Sequence, residues 1–139
     1  MRRARVLVLL SLISTIFSCA PQSAPEDADG ARLVVVSPAL GRIVRDLGMG
    51  DLVVGRHGWD GGFPGVPSVG DQSGIDYEAL RRLAPTHVLM QWGERALPER
   101  LVGLSAREGW ELANIEMLTL DEIGVGVERV AAFCGDEEV

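Results

Sequence analysis

The chain has 139 residues, a length that suits one domain of ordinary size and is short for two. Its 20 acidic residues outnumber its 13 basic residues, all of which are arginine, so the formal net charge is −7. Nucleic acid and anionic lipid surfaces are poor partners for such a chain, because they carry charge of the same sign.

The first residues are typical of a secretory signal and not of a folded domain. Residues 1–5 contain three arginines, and residues 6–17 form an unbroken run of apolar and small residues. That run is too short to cross a bilayer as a helix, which takes about 20 residues. We therefore predict a signal peptide over residues 1–18, whose removal leaves 10 basic and 20 acidic residues, and the residues around its end resemble those of a lipoprotein signal peptide.

A cysteine follows this segment directly. The sequence Phe-Ser-Cys ending at Cys19 resembles the lipobox of bacterial lipoproteins, in which the cysteine is acylated and becomes the mature N-terminus. Residues 19–31 are polar and rich in Pro and Ala, which predicts a flexible tether. The alternative is a plain cleaved signal in which Cys19 has no such role. The second cysteine, Cys134, lies on an apolar helical stripe and is expected to pack in the core.

Strand-like and helix-like segments alternate from residue 32 onward. Short apolar runs predict strands at 33–37, 52–55, 86–92 and within 110–118. Amphipathic spacing and capping residues predict helices at 38–47, 76–83, 98–108 and 121–134, and a glycine- and proline-rich loop covers 56–74. This order predicts an α/β domain over residues 32–139, a three-layer Rossmann-like lobe with a mainly parallel sheet.

The carboxyl ends of parallel strands form the ligand-binding edge of such a sheet. Several polar and aromatic residues directly follow a predicted strand and should share that edge. They are Ser37, Arg56, His57, Gln91 and Trp92. The second histidine, His87, begins a strand and belongs to the opposite edge.

The long loop adds aromatic side chains to the same edge. Trp59, Phe63 and Trp92 are three of the seven aromatic residues in the chain. Flat rings with few rotatable bonds suit a planar or bulky ligand. We favour a ligand role for Trp59 and Trp92, whereas Phe63 is equally well interpreted as an anchor of its own loop.

The sequence contains no evident reaction centre. Its two histidines fall at opposite sheet edges, and this argues against a catalytic zinc site. The dinucleotide fingerprint, the Gly-x-Ser-x-Gly elbow and the P-loop lysine are all missing. Ser37 and His57 could form a nucleophile and base, but a serine before a helix is more simply its N-cap. We therefore expect a protein that is not an enzyme and has neither cofactor nor metal site.

Taken in order, these features resemble the N-terminal lobe of the substrate-binding proteins of cobalamin and iron-siderophore ABC importers. The resemblance runs from about residue 32 to residue 123. It depends on a strand ending in Ser-Pro, a helix ending in Leu-Gly-x-Gly-Asp, and Val-Val-Gly. An aromatic loop, Val-Gly, a helix of the form x-Glu-Ala-Leu-x-x-Leu, and a Pro-x-x-Val-Leu strand follow.

The resemblance implies an extracytoplasmic solute-binding lipoprotein that captures cobalamin or a ferric chelate (a siderophore or heme) and delivers it to an ABC permease. Its lipid anchor would hold it to a membrane of the bacterial cell envelope, on the periplasmic side. The candidate ligand-binding residues are Ser37, His57, Trp59, Asp60 and Trp92. The position of Trp92 slightly favours cobalamin, because the cobalamin branch often places an aromatic residue after the third main strand.

Glu99 stands where the first-lobe glutamate of the family docks with permease arginines. The alternative is an ordinary acidic residue that complements the dipole at a helix start.

The family has two lobes, whereas residues 32–139 correspond to one. We expect either a fragment or a single-lobe form, in which a second chain could supply the missing wall of the cleft. A hypothesis of another class is a membrane-anchored protein-interaction module without a small-molecule ligand. Quenching of tryptophan fluorescence by a chelate would favour the first hypothesis, and a stable dimer that ignores chelates would favour the second.

Overall fold

The computed structural model describes residues 30–71 and 73–135. The predicted signal peptide, the predicted lipidation of Cys19 and nearly all of the predicted tether lie outside these residues. Across the described ranges, no helix combines the length and the apolar character needed to cross a membrane.

Strands and helices alternate along the described residues, close to the predicted bounds. The strands are β1 (Leu33–Val36), β2 (Val53–Arg56), β3 (Gly70–Asp71), β4 (Gly74–Ile75), β5 (His87–Met90) and β6 (Glu111–Asn114). The helices are α1 (Pro38–Asp46), α2 (Tyr77–Leu83), α3 (Glu99–Glu108) and α4 (Leu120–Cys134), with a 3-10 turn at Gly50–Leu52. The β3–β4 hairpin within the long loop was not predicted, because two-residue strands carry no periodic signal.

The main sheet is parallel, with the strand order β2-β1-β5-β6. Alternate side chains of β1 point to opposite faces, so Leu33 and Val35 pack in one core and Val34 packs in the other. The first core also contains side chains of α1 and α4, and the second contains side chains of α2 and α3. The predicted fold class is therefore confirmed: two helical layers enclose a parallel sheet.

Local sequence sets the helix ends. Asp76 caps α2 by accepting hydrogen bonds from two backbone N–H groups of its first turn. Thr119 and Glu122 form a reciprocal capping box at the start of α4. Gly109, with φ +77°, ends α3 in the left-handed conformation that glycine adopts without strain.

Cys134 packs in the core between α4 and the sheet, beside Val130. Burial raises the pKa of its thiol to about 11, because a thiolate would lose its hydration there. The apolar stripe predicted for this helix contains Ile123, Val127, Val130 and Cys134. Its first residue is not buried, since Ile123 is 42% exposed.

Candidate ligand-binding groove

The carboxyl ends of β1, β2 and β5 meet at a topological switch point. From β1, the chain crosses one face of the sheet through α1 to β2, and then returns across the other face through α2 to β5. The loops that leave β1 and β5 diverge there, which opens a crevice. An open groove of about 440 Å³ lies at this edge. Its lining residues are Val36, Ser37, Pro38, His57, Asp71, Gln91, Trp92 and Arg95.

Ser37 connects two of the loops that form the groove. Its Oγ accepts a hydrogen bond from the backbone N–H of Leu40 (3.4 Å), which caps α1. The same hydroxyl donates to Oε1 of Gln91, beyond the end of β5, at 2.7 Å. The side chain is buried, and both of its hydrogen-bonding roles are taken by the protein.

His57 follows β2 and is also buried. Its Nδ1 accepts a hydrogen bond from the backbone N–H of Trp59 (3.2 Å), so the neutral ring carries its hydrogen on Nε2. Arg56 supports this segment by donating to the carbonyl oxygens of His57 and Gly58, both at 3.0 Å. The ring is therefore held by its own loop on one side and lines the groove.

The β3–β4 hairpin brings Asp71 to the groove. The backbone N–H of Gly58 donates to the carbonyl of Gly70 (2.7 Å), which joins the hairpin to the loop that follows β2. The backbone N–H of Ser73 donates to Oδ1 of Asp71 (2.7 Å). Hydrogen bonds from Ser73 lower the pKa of Asp71, so its carboxylate is a negative charge at neutral pH.

Trp92 is half-buried, and the end of β6 fixes its backbone. Its N–H donates to Oδ1 of Asn114 (2.8 Å), whose Nδ2 donates to the carbonyl of Gly93 (2.8 Å). The guanidinium of Arg95 lies over the Trp92 ring, 5.0 Å from its centroid. Trp92 and Arg95 both line the groove and present an aromatic ring and a positive charge to it, and we call this pair the Trp92–Arg95 platform.

Comparison with solved structures shows what this architecture is similar to. The periplasmic heme-binding protein RhuT from Roseiflexus sp. RS-1 aligns with a TM-score of 0.63 and 27% identity, covering 74% of this chain and 40% of its own. The chain has the fold of one lobe of a periplasmic substrate-binding protein. This confirms the resemblance found in the sequence.

Two structures from Vibrio cholerae share the fold of this lobe. The vitamin B12 binding protein BtuF aligns with a TM-score of 0.61 and 20% identity, covering 75% of this chain and 41% of its own. The heme binding protein HutB aligns with a TM-score of 0.64 and 19% identity, covering 73% of this chain and 40% of its own. The chain thus spans about 40% of the length of these proteins. No protein-family model matches the sequence, and no curated protein matches it.

Ser37, His57 and Trp92 come together in the groove of the lobe, whereas Trp59 lies beside it. Trp59 is 67% exposed and meets the His57 ring edge-on, with 5.9 Å between the ring centroids. It does not line the groove, although a ligand that extends past His57 could reach its exposed ring.

Asp60 is placed away from the groove, beneath α1. Its Oδ1 accepts hydrogen bonds from Arg45 (3.1 Å) and from the backbone N–H of Gly62 (2.9 Å), and the side chain is buried. Phe63 is buried in the core that contains side chains of α1 and α4. The guanidinium carbon of Arg45 lies 4.8 Å from the centroid of its ring. Both residues hold the loop against α1, so the structure favours the anchoring interpretation of Phe63 and gives Asp60 a similar position.

Sequence reasoning did not select Asp71, Arg95 or Asn114 as site residues. The Asp-x-Ser spacing at Asp71 is the signal of a turn in which a carboxylate accepts from the backbone. Arg95 and Asn114 gave no signal, because their partners lie on other segments of the chain. Among the described residues, no group of three or more His, Cys, Asp or Glu could hold a metal ion.

Glu99 is the exposed first residue of α3 in the lobe. An acidic residue in the first turn complements the helix dipole, and an exposed one is also accessible to a partner. Its position is therefore compatible with both interpretations.

Replacing Ser37 with alanine should lower the free energy of unfolding of the lobe by about 1–2 kcal/mol, because the N-cap bond and the partner of Gln91 are both lost. Urea denaturation followed by circular dichroism measures the change. A variant as stable as the wild type would contradict the role of Ser37 in fixing α1 and β5 together.

Proposed function

We propose that the lobe is the ligand-binding part of an extracytoplasmic solute-binding protein of an ABC importer. Its ligand is a bulky chelate: cobalamin, heme or a ferric siderophore. The observation that carries the proposal is the open groove at the switch point of this fold, with Trp92 beside the buried His57. Heme and cobalamin follow the named ligands of the similar structures, which are heme and vitamin B12. The ferric siderophore follows the family resemblance of the sequence.

The chemistry of the groove supports binding in preference to reaction. A serine nucleophile needs a base that takes its proton, whereas the Ser37 hydroxyl donates to the Gln91 side-chain oxygen. The groove instead offers a flat aromatic face, hydrogen-bond donors and one carboxylate. Such a surface orients a ligand through few polar groups on an apolar support.

Delivery to a permease needs attachment and docking. In this proposal Cys19 carries the lipid anchor and the exposed Glu99 contacts the permease. The groove is open, so a bulky ligand bound to this lobe alone keeps part of its surface in water. Tight capture therefore calls for a second protein surface, because affinity depends on how much of the ligand is desolvated.

Titration of the purified protein with cyanocobalamin, hemin and ferrichrome tests the proposal through tryptophan fluorescence. We expect saturable quenching by one class, and Trp92→Ala should weaken that affinity about tenfold, since the loss of a large aromatic contact costs more than 1.4 kcal/mol. Trp59→Ala makes the same change at a tryptophan that does not line the groove, so it should weaken the affinity less than Trp92→Ala does. Free tryptophan corrects for ligand absorbance.

Absence of saturable quenching by all three ligands would contradict the proposal. If the unresponsive protein were also a stable dimer, the membrane-anchored interaction module would become the better hypothesis.

A further inference from the structure

We infer that the ligand of this groove carries a carboxylate, and that Arg95, supported on the ring of Trp92, binds it. The inference rests on the proposed function and narrows its ligand class. It depends on which hydrogen-bonding groups of the groove are already bonded within the protein and which remain available to a ligand.

The available side-chain groups that follow β2 and β5 include two hydrogen-bond donors. The Ser37 hydroxyl donates to Oε1 of Gln91, which occupies one lone pair of that oxygen, and the NH2 group of the amide has no hydrogen-bond partner among the described residues. Nδ1 of His57 accepts from the backbone N–H of Trp59, so the remaining ring nitrogen is an N–H donor. Two neighbouring lining residues therefore offer hydrogen-bond donors to an acceptor-rich ligand.

Arg95 adds a positive charge to these donors. Its guanidinium lies over the Trp92 ring at 5.0 Å, and no acidic group of the described residues is within ion-pair distance of it. A guanidinium next to an aromatic ring keeps its N–H groups available, in a planar fork that matches a carboxylate. The exposed side chain of Arg95 is therefore accessible to an anion in the groove.

Asp71 sets the direction of the ligand. Its carboxylate is ionised because bonds from Ser73 stabilise the charged form, so it repels a second carboxylate. The groove is thus lined by the anionic Asp71 and the cationic Arg95, which are not within ion-pair distance of each other. A ligand carboxylate is favoured at the Trp92–Arg95 platform and disfavoured beside the β3–β4 hairpin.

This polarity selects among the chelates of the proposed function. A tetrapyrrole with propionate groups, such as heme, and a siderophore with free carboxylates both present the required group on a large ligand. Cobalamin carries amide side chains in place of carboxylates, and ferrichrome is a neutral hydroxamate chelate. We therefore expect hemin or a carboxylate siderophore to bind more tightly than either of these.

The test compares hemin with hemin dimethyl ester, in which the propionates are blocked, and includes ferric citrate, cyanocobalamin and ferrichrome. Tryptophan quenching is followed in the wild type, Arg95→Gln and Arg82→Gln. Arg82 is exposed in the last turn of α2, so its variant changes the net charge equally and lies outside the groove lining. Losing a charge-assisted hydrogen bond should weaken hemin binding about tenfold or more in Arg95→Gln only.

Tight binding of hemin, weak binding of its ester and the selective effect of Arg95→Gln would support the inference for a tetrapyrrole. The same Arg95 effect with ferric citrate alone would support it for a carboxylate siderophore. Equal affinity for hemin and its ester, or binding of cyanocobalamin or ferrichrome alone, would overturn the inference and leave the proposed function standing. No binding of any probe would overturn both.

Discussion

Replacing Gly70 with alanine is expected to lower the free energy of unfolding by about 3 kcal/mol. Gly70 has φ +121°, a backbone conformation that residues with a side chain rarely adopt. A Cβ at this position would collide with the carbonyl oxygen of Gly74 and lie 3.0 Å from the Cα of Ile75. These are backbone atoms, so the β3–β4 hairpin itself must open to accept the methyl group.

Gly65→Ala is the matched control for this prediction. Gly65 also has a positive φ (+83°), but a Cβ there would meet no atom within 4 Å. It should therefore cost only the local backbone strain, about 1 kcal/mol. Chemical denaturation of both variants separates strain from collision, and equal losses of stability would contradict the close approach of Gly70 to Gly74.

Gly70→Ala should also affect ligand binding. The carbonyl of Gly70 accepts a hydrogen bond from Gly58, and the next residue, Asp71, contributes the anionic side of the groove. Opening the hairpin displaces the carbonyl of Gly70 and the side chain of Asp71. Gly65→Ala should leave the groove unchanged, so only Gly70→Ala is expected to alter the affinity for a chelate.

The architecture was largely predictable because it depends on local patterns. The apolar run at β1 and the helical spacing after Ser37 are each contained in a few consecutive residues. The rule that ligands bind at the carboxyl ends of parallel strands then placed Ser37, His57 and Trp92 at one edge without any coordinates. The structure puts these three side chains in a single groove.

The finer arrangement of the site was not predictable, since it depends on contacts between distant segments. Asp60 follows His57 closely, but its partner Arg45 lies 15 residues earlier on α1, so its side chain turns away from the groove. The backbone of Trp92 is fixed by Asn114, 22 residues later at the end of β6. Neither pairing has a local sequence signal.

Because of the position of Asp60, alanine should destabilise the protein at one helical glycine, Gly41, and stabilise it at another, Gly103. In Gly41→Ala, the new Cβ would collide with Oδ2 of the buried Asp60 and lie 3.1 Å from the Phe63 ring. Asp60 would have to turn and lose its bonds to Arg45 and Gly62. We expect a loss of about 2–3 kcal/mol in the free energy of unfolding.

Gly103→Ala is the control, because it makes the same change within α3 where a Cβ would meet nothing within 4 Å. Alanine has the higher helix propensity, so this variant should gain up to about 1 kcal/mol. Thermal or urea denaturation of the two variants shows whether each substitution raises or lowers the free energy of unfolding. A stabilising Gly41→Ala would mean that Asp60 does not lie against α1.

A double-mutant cycle identifies the cause of the loss at Gly41. Oδ2 of Asp60 has no hydrogen-bond partner among the described residues, so its position is set by packing against α1 and by the two bonds that Oδ1 accepts. Removing the carboxylate in Asp60→Ala leaves room for a methyl group at position 41. The cost of Gly41→Ala should then fall by more than 1 kcal/mol, since residues in contact are not additive. An unchanged cost would assign the loss to the Phe63 ring, the other group that the new methyl group approaches.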